Sequence, residues 1–141
     1  MKTYLYFVVP LAKFFANLLL MIVVFSYIFP VPIAPWVDMI IGFTLSTILA
    51  APFAYWAFKN QIPTGKQLSW FVLAWVGITV LAEIIIDFIF HAGVWVYIFR
   101  YEFLVQTLLE VAVILIMARV MRRQNAYQVA APGIDFDEPA Q

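Results

Sequence analysis

The sequence predicts an all-α integral membrane protein, a four-transmembrane-helix bundle with both termini cytoplasmic. Three observations carry the prediction. Of 141 residues, 66% are hydrophobic and only 11% are charged, with a mean hydropathy of +0.98, whereas a soluble domain is roughly 45–50% apolar and about 25% charged. A core of this size cannot hide that apolar excess from water, so a bilayer is expected to take it up. Apolar stretches near the roughly 20 residues needed to cross hydrocarbon also recur four times, and Lys and Arg gather at alternate connections.

The first span runs from about 4 to 29 and ends at Pro30-x-Pro32-x-x-Pro35, a cluster that breaks a helix and turns the chain. It exceeds the roughly 7–15-residue apolar region of a signal peptide, and no small-x-small cleavage site closes it. The second span is about 36–58, with Pro52 inside as a possible kink, and the polar stretch Lys59 to Lys66 follows. The third is about 68–91. Gly93 and an aromatic hairpin bearing Trp95, Tyr97, Phe99 and Tyr101 lead into the fourth, about 103–120. These spans make one membrane domain, 1–123. The remainder, 124–141, is a short acidic tail with Asp135, Asp137 and Glu138, expected to be disordered and cytoplasmic. It reads as a solvated end, or as a docking peptide (Ile134 to Glu138) for a partner. Lys2, Lys59, Lys66, Arg119, Arg122 and Arg123 fall at the N-terminus, the 2–3 connection or the C-terminus, whereas the hairpin has only Arg100. The positive-inside rule then sets the orientation, and the expected location is a bacterial or archaeal cytoplasmic membrane.

Several chemistries are excluded or unsupported. The chain has no cysteine, so it has no disulfide or thiolate metal site of its own. His91 is the only histidine, so this chain cannot supply a bis-histidine haem. There is no phosphate loop or dinucleotide fingerprint, so no nucleotide is expected. A net charge of +0 gives no reason to expect nucleic acid. No internal repeat of the kind found in inverted-repeat transporters is evident.

The candidate site is an intramembrane polar ladder. Glu83, Asp87 and His91 lie at i, i+4, i+8 on the third span, and Gln106 and Glu110 at i, i+4 on the fourth. Thr79 continues the first stripe inward. A short hairpin makes these helices antiparallel neighbours, which would set His91 level with Gln106 and Asp87 level with Glu110. A carboxylate at the centre of a bilayer costs roughly 2.5–3.5 kcal/mol on insertion scales. Two at one depth should not both be charged without a cation: one would hold a proton, or both would share a metal, Lys or Arg. Asp87, His91 and Glu110 are the candidate metal ligands, and a cation is the possible cofactor. The alternative is that the ladder is interhelical glue, but such contacts contribute only about 0.6 kcal/mol on average in membranes. His91 alone reads more simply as an interfacial residue.

Lys13, on one face with Asn17, is expected to snorkel to the cytoplasmic surface; otherwise it is the counter-charge of Glu83. Asp38 suits a helix N-terminus, and Arg100 with Glu102 reads as a wet surface pair. Gly42, Ser46, Ala50 and Ala54 form a small-residue face on the second span that packs within the bundle or against another subunit.

Three function classes fit. The first is a transporter, channel or ion-coupled membrane subunit relaying a proton or cation through Glu83, Asp87 and Glu110. The second is a structural or accessory subunit of a membrane complex. The third is a membrane-embedded enzyme using the acids. Asp87 ahead of Gly93-Val94-Trp95, with Glu110 on the next helix, resembles membrane lycopene cyclases over a short stretch, but their Pro-x-Glu-Glu acid pair is missing here. The first class is preferred. Because so short a chain leaves little room for a whole transport path, a homo- or hetero-oligomer in the lipid bilayer is expected.

Overall fold

The computed structural model describes residues 2–28, 35–90 and 101–130. Four helices cover nearly all of them: α1 (Leu5–Val23), α2 (Pro35–Phe58), α3 (Gly65–Phe90) and α4 (Tyr101–Ala130). A π-helical turn, Val24–Ile28, extends α1. No strand occurs among the described residues. α1 together with its π-helical turn, and α2, α3 and α4, each provide a segment long and apolar enough to cross a membrane, of 24, 19, 21 and 25 residues in chain order. Side chains of Asp38, Asp87 and Glu102, and all of His91, the hairpin 91–100, the Pro30–Pro32 turn and the acidic residues of the tail, lie outside the described residues.

The helix ends follow from local chemistry. α2 opens on Pro35, whose fixed φ and missing N–H suit a first helical position. It continues through Pro52 as one helix. α3 begins with a reciprocal capping box: Gln67 N–H donates to Thr64 Oγ1 (3.4 Å) and Thr64 N–H donates to Gln67 Oε1 (3.1 Å). This start precedes the position that hydropathy alone suggests. α4 also outruns its apolar stretch. Residues 124–130, assigned by composition to the tail, continue the helix. Near that end Arg122 donates to the Pro63 carbonyl (2.7 Å), tying α4 to the α2–α3 connection.

The helices form a ring in the order α1, α2, α4, α3. α2 and α4 make the most extensive contact, α1 packs on both α2 and α3, and the α3–α4 contact is the slightest. α1 and α4 therefore sit diagonally across the axis, as do α2 and α3. Burial is inverted relative to a water-soluble bundle. Leu19, Ile48, Leu73 and Leu108, one on each helix, are exposed, whereas Lys13, Ser46, Thr79 and Glu110 are buried. Water would disfavour that surface; lipid would not.

The small-residue face of α2 lies inside the bundle. Ser46, Ala50 and Ala54 are fully buried, and a Cβ added to Gly42 would sit 3.3 Å from Met21 Cε. Ala50 and Ala54 join Val9, Ala57, Phe58, Phe71, Trp75, Ile114, Ala118 and Met121 in one apolar core.

Candidate functional site

One polar cluster occupies the bundle axis, and all four helices contribute to it. Lys13 Nζ lies 2.5 Å from Glu110 Oε1 and 2.6 Å from Ser46 Oγ. Ser46 donates its hydroxyl to Glu110 Oε1 (2.5 Å) and accepts from Gln106 Nε2 (2.9 Å) as well as from Lys13. Gln106 Nε2 also reaches Glu110 Oε1 at 3.3 Å. The other carboxylate oxygen, Glu110 Oε2, accepts from the Trp75 indole N–H at 2.8 Å. The Lys13 ammonium stands 5.9 Å from the Trp75 ring centroid, within range of a cation–π attraction.

Around the Glu110 carboxylate and the Ser46 hydroxyl every hydrogen-bonding group is used. Ser46 uses its proton and both lone pairs, and both oxygens of Glu110 are engaged. Burying an ion pair costs several kcal/mol per ion unless the geometry and the surrounding hydrogen bonds compensate. Here four donors surround one carboxylate, and the pair is almost sealed from solvent, with relative side-chain exposures of 4% for Lys13 and 1% for Glu110. Because α1 and α4 are diagonal, this salt bridge connects two helices that are not neighbours in the ring.

Two expectations are corrected by this arrangement. Lys13 does not snorkel to a surface, because its ammonium is held on the axis by Glu110 and Ser46. Its hydrogen-bonded ion-pair partner is Glu110 on the far helix, and Glu83 lies within its electrostatic reach. Glu110 is also satisfied differently than the hairpin geometry suggests: its partner on α3 is Trp75. Asp87 follows Trp75 by twelve residues, roughly 18 Å of helical rise. The physical reason is the ring order. α4 leans mainly on α2, so its polar face turns toward the axis, where it meets α3 at the level of Trp75.

Glu83 is placed differently. Its carboxyl is partly buried and lies within electrostatic reach of both Lys13 and Glu110, yet no hydrogen bond to it occurs among the described residues. Asn17, one turn beyond Lys13 on α1, is partly buried, and its Oδ1 has no hydrogen-bond partner among the described residues; the same is true of Thr47 Oγ1. Thr79 is 7% exposed and donates back to the Trp75 carbonyl at 2.9 Å. The backbone places Asp87 in α3. Among the described residues no three His, Cys, Asp or Glu side chains come together to hold a metal ion.

Trp75 and Ser46 are members that the ladder did not include. Trp75 was within reach: one more step of four residues inward from Thr79 lands on it. Ser46 was read only as a small packing residue, yet it is the one hydroxyl in that face.

Neither a protein-family model nor a curated protein nor a solved structure matches the chain.

Proposed function

We propose that this chain is an ion-coupled membrane protein, a transporter, channel or ion-coupled subunit whose working group is Glu83. One observation carries the reading. Among the described residues a single ammonium, Lys13, stands within electrostatic reach of two carboxyls, and of these only Glu110 is hydrogen-bonded to it. One positive charge cannot neutralise two carboxylates. In a low-dielectric interior the second takes up a proton or a small cation. Glu110 is locked by four donors, so the exchangeable occupant belongs to Glu83. The basic end, with Lys2, Lys59, Lys66, Arg119, Arg122 and Arg123, then faces the cytoplasm, and a bacterial or archaeal cytoplasmic membrane is the proposed location. Oligomerisation completes whatever path one protomer lacks.

A second reading, a structural or accessory subunit, is favoured by the Glu110 carboxylate, both of whose oxygens are engaged by protein donors. The same experiment separates the two. Proteoliposomes adsorbed on a solid-supported membrane are given a pH step or a sodium step, and the displaced charge is recorded. The ion-coupled reading expects a transient in the wild type that is absent in Glu83→Gln and retained in Glu83→Asp. The absence of a wild-type transient with either ion leaves the structural reading in its place.

A further inference from the structure

The basic end of the bundle carries charge that the helices do not answer. Segments 2–10, 52–72 and 114–130 bring Lys2, Lys59, Lys66, Arg119, Arg122 and Arg123 to that end and contain no Asp or Glu. Among the described residues none of the six forms a salt bridge, and Arg122 is committed to the Pro63 carbonyl.

A cavity of about 160 Å³ opens at this end, larger than one water needs. Lys2 and Tyr4 line it from the start of α1, Trp56 and Ala57 from the last turn of α2, and Asn60 and Gln61 from the connection that follows. Its wall changes character with depth. Ala57 is buried and belongs to the apolar core, whereas the other five are exposed. The backbone of both rims is fixed: the Leu5 N–H donates to the Lys2 carbonyl (3.1 Å), the Lys59 N–H to the Tyr55 carbonyl (2.8 Å) and the Gln61 N–H to the Phe58 carbonyl (3.1 Å). The side chains of Lys2, Asn60 and Gln61 make no hydrogen bond among the described residues. One ammonium and two amides are therefore available as donors at the mouth. The cavity also lies where the apolar segments stop, since the first begins at Leu5 and the second ends at Phe58. In a bilayer that boundary is the headgroup level, where Tyr and Trp rings settle.

We propose that this cavity binds the phosphate of an anionic phospholipid, with the Lys2 ammonium as counter-charge and the Asn60 and Gln61 amides as neutral donors to its oxygens. A phosphodiester takes what the mouth supplies, a cation and hydrogen-bond donors. The glycerol and first acyl carbons take what Trp56 and Ala57 supply, apolar surface continuous with the hydrocarbon. A zwitterionic headgroup would bring its own cation to an end already rich in Lys and Arg, so the charge excess selects a lipid with net negative charge. A free phosphate would leave the apolar wall unfilled. The assignment does not rest on the ion-coupled reading.

Native mass spectrometry of the full chain in neutral detergent, with phosphatidylglycerol and phosphatidylcholine added in equal amounts, tests it. The wild type is expected to retain a phosphatidylglycerol in preference to phosphatidylcholine. Lys2→Gln is expected to lower that retention about tenfold, as the loss of a charge-assisted hydrogen bond implies, and Lys2→Arg to keep it. Lys66→Gln removes a cation from the same end but outside the cavity, and a smaller effect is expected. Gel filtration checks folding; if Lys2→Gln does not elute as the wild type does, Asn60→Leu, which removes the amide donors, takes its place. Equal retention of the two lipids, or an equal loss in Lys2→Gln and Lys66→Gln, overturns the proposal. Displacement of the lipid by millimolar inorganic phosphate would give the cavity to a free anion and overturn it too. A lipid preference that emerges only when Asp135, Asp137 and Glu138 are neutralised together would give the cavity to the acidic tail, with the same consequence.

Discussion

Removing the Lys13 ammonium strands the Glu110 carboxylate among three neutral donors at the centre of the bundle. Breaking a buried pair from one side typically costs about 3–5 kcal/mol, so Lys13→Met is expected to lower the thermal midpoint in detergent strongly. Lys13→Met combined with Glu110→Gln is expected to recover most of that loss, because no charge is left unpaired. If the double variant is no better than the single one, the pair is not the unit described here. Ser46→Ala removes an acceptor from Lys13 and Gln106 and a donor from Glu110 in one step. Leaving such groups unsatisfied costs about 1–3 kcal/mol, which a denaturation midpoint can read. Glu83→Gln should behave oppositely. It removes a carboxyl that no described side chain hydrogen-bonds, so the expected midpoint is equal to or above that of the wild type. A loss comparable to that of Lys13→Met would place Glu83 in the structural cluster.

At the scale of elements, the packing of α2 depends on small side chains. Ala54 is fully buried in the core. Ala54→Leu adds volume where none is free and is expected to cost about 1–3 kcal/mol through overpacking. Gly42→Ala should be nearly neutral, because its Cβ meets only the flexible end of Met21 at 3.3 Å. Equal losses at both positions would show that the whole face, not its deep half, sets the helix approach. The extent of each helix was legible in the sequence where it depended on local chemistry. Apolar runs of membrane-spanning length, bounded by proline clusters and polar stretches, are read one segment at a time. The start of α3 was written in Thr64-x-x-Gln67, but hydropathy moved the expected start inward. The extension of α4 past residue 124 was not legible, because Gln124 to Ala130 has neither the apolar period nor the breaker that would decide it.

The order of helices around the axis is a property of the whole molecule, and here the sequence is least informative. A short hairpin shows that α3 and α4 are consecutive. It does not show that α4 leans mainly on α2, and that choice decides which side chains meet. Glu110, Gln106, Lys13 and Ser46 could each be flagged as unusual in an apolar helix, yet the Lys13–Glu110 pairing spans 97 positions in the chain and crosses a diagonal. From one helix alone, a lysine three turns in is free to snorkel; only a carboxylate supplied by a distant segment holds it. Among the described residues the result is an axis on which one cation, Lys13, is bonded to Glu110 and within electrostatic reach of Glu83. In the proposed reading the exchangeable charge belongs to Glu83 and Glu110 is fixed. Infrared difference spectroscopy of the protein in bilayers, titrated in buffer free of sodium and potassium, tests this most directly, since the proton is then the only available occupant. The expected result is a titrating carboxylic acid band that disappears in Glu83→Gln and persists in the stable Lys13→Met/Glu110→Gln variant. A band that survives Glu83→Gln and vanishes with the Glu110 substitution would contradict the account.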